Sequence, residues 1–77
     1  MKQGLYQHYQ GQYYHVIGVC CHSETLEAMI IYRKLYDDYS LWVRPKTMFE
    51  ENIIHEGKTR PRFQFIRTMD REPPTLR

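Results

Sequence analysis

The sequence predicts an all-β fold, either a small barrel or a two-layer arrangement, with five or six short strands and at most a short helical turn. Three observations lead there. Runs of four to nine β-branched and aromatic residues, such as "YYHVIGVCC" and "AMIIY", recur along the chain. Clusters of Gly, Asp, Ser, Asn and Pro separate them. No long stretch carries apolar residues at the helical spacing of three and four. With 77 residues the chain holds one domain and one thin core. Residues 1–67 are expected to form it, with 68–77 ("TMDREPPTLR") as a flexible C-terminal tail because two prolines and few apolar side chains give it nothing to pack.

The elements follow in order. "GLYQHY" (4–9) is a short strand, and Gly11 in "QGQ" supplies a turn residue free to take a positive φ. "YYHVIGVCCH" (13–22) is the longest strand, and Gly18 inside it predicts a bulge or tight bend. "SETLE" breaks the pattern. "AMIIYRKLY" (28–36) could begin as a helix capped by Ser23, but its Ile-Ile-Tyr centre and the "DDYS" turn behind it favour a strand paired as a hairpin with "LWVRP" (41–45). Pro45 opens a single helical turn across "KTMFEE". "NIIH" (52–55) is a strand, "EGK" a turn, and "PRFQFI" (61–66) the last strand, with Phe63 and Phe65 on one face and Pro61 at its start.

Composition narrows the class. A net charge of +2, from 11 basic and 9 acidic residues, does not argue for nucleic acid by itself. Seven Tyr, three Phe and one Trp suit a thin core or a binding surface. Cys20 and Cys21 are neighbours on a strand, point to opposite faces, and are expected as reduced thiols, one inward and one outward. No signal peptide is read at the start and no apolar run reaches ~18 residues, so a cytoplasmic protein with no membrane contact is expected.

Two side-chain groupings carry the functional expectation. In 22–27, five of six residues are polar: His22, Ser23, Glu24, Thr25 and Glu27. Turn chemistry needs one or two of these; a ligand site would use more. The second grouping is Arg33, Trp42 and Arg44 on the predicted hairpin, where guanidinium groups would hold an anion and Trp42 would stack. An ordinary ion-pair network of these arginines with Glu24, Glu27 or Glu50, with Trp42 in the core, is the structural alternative. The predicted site is therefore His22, Ser23, Glu24, Thr25, Arg33, Trp42 and Arg44, with no catalytic residue, metal or cofactor. Three consecutive side chains on a strand, Cys20 to His22, do not converge on a metal, and Ser23 beside His22 points away from it.

Several stretches together, "YQHYQGQYYHVIGVCCHSETLE", "IIYRKLY", "LWVRP", "MF" and "GKTRPRF", resemble the small bacterial family called domain of unknown function 1653. The likeness covers Tyr6 to Phe65. It implies an SH3-like barrel in a short, stand-alone, cytoplasmic protein, and it brings no function. Two features differ from that family's pattern: Cys20-Cys21 before His22, and "YDDYS" for a turn that usually carries a Gly. The expectation is a binding module for an anionic or hydrogen-bonding ligand, a nucleotide or nucleic acid, working as a monomer. The rival readings are a protein–peptide interaction module and a small hydrolase centred on His22.

Overall fold

The structure is a computed structural model, and it describes residues 2–69. Seven strands and one helical turn succeed one another: β1 (Gly4–His8), β2 (Tyr13–Cys21), β3 (Ala28–Lys34), β4 (Leu41–Pro45), α1 (Lys46–Phe49), β5 (Asn52–His55), β6 (Lys58–Pro61) and β7 (Phe63–Arg67). Strands β1 to β4 and β7 form one antiparallel sheet in the order β4-β3-β2-β1-β7, while among the described residues β5 and β6 pair only with each other. Of the expected tail at 68–77, all but Thr68 and Met69 lies outside the described residues.

The sheets are open, which corrects the expectation of an SH3-like barrel, and the described residues form seven strands rather than five or six. Among the described residues β4 pairs with β3 alone and β7 with β1 alone. The reason lies at Pro45. Proline has no N–H to extend a ladder, and here it ends β4 and becomes the N-cap of α1. That single turn places the Phe49 ring against the inner face of the sheet, in the position where a barrel would need a further wall. Phe49 is 1% exposed and stacks on Phe63 with ring centres 4.0 Å apart. The strand missed in the sequence is β6, "KTRP", all of whose residues are exposed. A strand with no buried face shows no alternation.

The inner face follows from period two and the register. Gly4, Tyr6 and His8 on β1 lie beside Tyr14 and Val16 on β2 and beside Phe65 and Phe63 on β7; Ile30 and Tyr32 on β3 lie beside Arg44 and Trp42 on β4. Tyr6, Val16, Ile30, Tyr32, Phe49 and Phe63 are the buried core. The register of β2 on β3 shifts between Val16 and Gly18, the bulge that Gly18 announces.

The turns show how local chemistry is met. In the 35–40 loop Asp37 and Tyr39 have φ of 56° and 55°, so two non-glycine residues take the left-handed region that usually favours Gly. Glu56 and Gly57, with φ of 54° and 78°, make the two-residue hairpin turn between β5 and β6. Arg62 joins the two sheets: its N–H donates to the Glu51 carbonyl at 3.0 Å, its carbonyl accepts from the Tyr9 N–H at 2.9 Å, and its guanidinium pairs with the Glu51 carboxylate at 2.9 Å.

Candidate functional site

The polar loop after β2 is a closed turn. His22 N–H donates to the Glu27 carbonyl at 2.8 Å, and Leu26 N–H donates to the His22 carbonyl at 2.9 Å. His22 Nδ1 accepts from the N–H groups of Glu24 and Thr25, at 3.1 and 3.3 Å, and Thr25 Oγ1 accepts from the Glu27 N–H at 3.2 Å. Leu26 turns the chain with a φ of 64°. Two of the five polar side chains, His22 and Thr25, thus do turn chemistry, and the Nδ1 lone pair of His22 is used by the backbone. Ser23, Glu24 and Glu27 are exposed. Neither Glu24 nor Glu27 pairs with Arg33 or Arg44 among the described residues; the ion pairs there join Lys34 to Asp37 and Asp38, Lys46 to Glu50, and Arg62 to Glu51.

The hairpin forms, but its register separates the two arginines. Arg33 lies opposite Leu41, and Arg44 opposite Ile30. Directly opposed residues share a face, so Arg44 shares the inner face with Ile30 and Tyr32, and Arg33 lies on the outer face. There Arg33 Nη1 donates to the Tyr39 carbonyl at 2.8 Å and ties down the 35–40 loop. The 22–27 turn is remote from Trp42 as well. Trp42 lies opposite Tyr32, which is four positions from Ala28, about 13 Å at strand spacing, and the turn lies beyond.

Of the predicted residues, Trp42 and Arg44 come together on one face, two positions apart on β4. Trp42 is 52% exposed, and its Nε1–H donates to Ser40 Oγ at 2.7 Å, which sets the indole plane. Beside it opens a cavity of about 230 Å³ lined by Tyr14, Tyr32, Lys34, Tyr36 and Trp42. Lys34 Nζ stands 5.1 Å from the Tyr36 ring centre and 5.8 Å from that of Trp42. The Tyr14 and Tyr36 hydroxyls share a 2.8 Å hydrogen bond. Burial, and then this bond, push the Tyr14 phenol well above its usual range, while Arg44 pulls the other way. Arg44 is half-buried, with its guanidinium carbon 5.7 Å from the Phe63 ring centre, and among the described residues it has no ion pair or hydrogen bond.

Sequence reasoning missed Tyr14, Tyr36 and Lys34. Lys34 has a legible signal, being two residues from Tyr32 on the same strand face. Tyr14 and Tyr36 are 22 positions apart, and only the sheet register joins them. Cys20 pairs with Met29 and Cys21 with Ala28, which turns the half-buried Cys20 and the exposed Cys21 to opposite faces; neither is in a disulfide. No group of three or more His, Cys, Asp or Glu could hold a metal among the described residues, and no helix there is long and apolar enough to cross a membrane.

Comparison with known proteins agrees with this architecture. A crystal structure of a protein from Bordetella bronchiseptica, described as belonging to the family DUF1653, is 26% identical, covers 94% of this chain and 95% of its own, and superposes with a TM-score of 0.83. No curated protein matches. The family model described as "protein of unknown function (DUF1653)" matches residues 4–65, from the first residue of β1 into β7 and across the whole aromatic face. The chain belongs to the DUF1653 family.

Proposed function

We propose that this chain is a non-catalytic binding module whose ligand combines a flat ring with an anionic group, as in a nucleotide or a short stretch of single-stranded nucleic acid. Trp42 is the stacking surface, and Arg44 holds the anion. The observation that carries the reading is Arg44 itself, a half-buried guanidinium with no carboxylate partner among the described residues, two positions along β4 from Trp42, which lines an open aromatic cavity. Removing a cation from water without a counter-charge is unfavourable, and a ligand anion would supply one. The cation seat between Tyr36 and Trp42 is already filled by Lys34, which favours an anionic over a cationic guest. Bases stack on aromatic side chains whatever their sequence. In this reading the protein works as a monomer in the cytoplasm, where thiols such as that of exposed Cys21 stay reduced.

Trp42 is the sole tryptophan, so its fluorescence reports the site directly. Titration with a nucleoside monophosphate should quench it saturably. The matching nucleoside should bind more weakly, and Arg44→Ala should lower nucleotide affinity at least tenfold while the circular dichroism spectrum is kept. Equal binding of nucleoside and nucleotide, or no quenching at millimolar ligand, would sink the reading. One observation favours a second one. The outer edge of β4 is unpaired among the described residues and carries Leu41 and Val43 at 53% and 55% exposure, an edge to which a peptide strand could add. Binding there would be nearly indifferent to salt, whereas phosphate binding falls as salt rises.

A further inference from the structure

A second cavity lies at the junction of the two sheets, and nothing in the reading above uses it. It measures about 110 Å³ and is lined by Gln7, His8, Tyr9, Arg60, Pro61 and Gln64. From these residues we infer an oxyanion seat that takes a phosphate group. One water needs only about 10–15 Å³ of such space, so the cavity has room for a small oxyanion. The lining is rich in donors. Arg60 on β6 makes no ion pair among the described residues. His8 borders the cavity as well, but its ring lies on the inner face against Tyr14 and Phe63, so the side-chain donors are Arg60 and the carboxamides of Gln7 and Gln64. Gln7 already donates to the Gly11 carbonyl at 3.2 Å, and Gln64, its partner across β1 and β7, adds a second carboxamide.

The surroundings are positive. Among the described residues no carboxylate lines the cavity. Burial holds the His8 imidazole below its usual range, and the charges that add to this are Arg62 and Arg44. The walls are also fixed in advance. Arg62, between β6 and β7, is bonded to Glu51 through backbone and side chain and to the Tyr9 N–H. The β5–β6 hairpin that carries Arg60 is therefore anchored to the end of β1. Behind Tyr9 the His55 ring packs at 5.3 Å between centres.

The test is a titration of the full chain with inorganic phosphate, followed by ¹H–¹⁵N NMR, against sodium chloride at matched ionic strength. Saturable shifts confined to the side-chain amides of Gln7 and Gln64 and the Tyr9 backbone amide are expected. Arg60→Ala should weaken phosphate at least tenfold and Arg60→Lys by less, with the nucleotide-dependent quenching of Trp42 unchanged in both. Shifts that chloride reproduces, or phosphate affinity that survives Arg60→Ala, would overturn the seat without touching the Trp42 site. A phosphodiester-linked dinucleotide forms the second arm. If it needs Arg60 and binds more tightly than phosphate, the seat takes nucleic-acid backbone. If only phosphate and monoesters need Arg60, the seat takes a free phosphate group.

Discussion

Replacing Phe49 with Ala tests the central structural claim, that one ring from one helical turn stands where a barrel would have a wall. Phe49 is 1% exposed. It stacks on Phe63 at 4.0 Å and meets Tyr6 and Tyr32 with ring centres 5.6 Å away in each case. Burying a phenylalanine removes on the order of 200 Å² from water, which at about 25 cal/mol per Å² is an upper estimate of about 5 kcal/mol. Measured losses for Phe→Ala in cores are about 3–5 kcal/mol. A domain of 77 residues has a total stability of roughly 4–12 kcal/mol, so the variant should lose about a quarter of it or more. Urea denaturation followed by circular dichroism should show the midpoint fall with little change in slope, and the melting temperature should drop by about 15 °C or more. Phe49→Leu, which keeps most of the volume, should lose less than about 1.5 kcal/mol. Ile54→Ala, at a residue 78% exposed, should change stability by less than about 0.5 kcal/mol. A loss below about 1 kcal/mol for Phe49→Ala would refute the idea that this ring closes the core.

Three further outcomes follow from single positions. Gly4 has a φ of 143°, and a Cβ there would collide with the Arg67 carbonyl oxygen and the Thr68 Cα; Gly4→Ala should lose about 3 kcal/mol or more. Gly11→Ala, at φ 111° with nothing within 4 Å, should lose only about 1–2 kcal/mol, and equal losses would remove the steric argument. Tyr14 holds its proton more tightly folded than unfolded, through burial and the bond to Tyr36. That contribution is complete below the unfolded value of about 10 and is lost as pH rises above it. Urea midpoints should therefore decline above about pH 10, and an identical decline in Tyr14→Phe would exclude Tyr14 as the cause. Maleimide should label the exposed Cys21 before the half-buried Cys20, with Cys21→Ser removing the fast phase; the reverse order would contradict the facing of β2.

What was legible in the sequence is what neighbours in the chain control. The Ile-Ile-Tyr run of β3, the turn before β4, the helical turn at Pro45 and the bulge at Gly18 rest on local sterics and on hydrogen bonds between residues a few positions apart. Trp42 and Arg44 share a face because period two within one strand needs no tertiary information. Turn chemistry in 22–27 was legible only in part: Thr25 bonds a nearby N–H as a turn residue does, whereas the two N–H groups that His22 Nδ1 accepts were not read from the sequence.

Register, closure and the far side of the aromatic cavity were decided by the tertiary structure. Whether Arg33 joins Arg44 depends on how many residues the 35–40 loop takes up, and the observed pairing of Arg33 with Leu41 puts them on opposite faces. Whether a sheet closes depends on its two edges, and no local pattern reports an edge. β4 ends at a proline, β6 pairs only with β5, and the Phe49 ring lies on the inner face. Tyr14 and Tyr36 meet because β2 and β3 pair in one register. Sequence patterns record which face of its own strand a residue occupies. Which faces then meet is set by apolar burial over the whole chain, a non-directional force that no short stretch encodes.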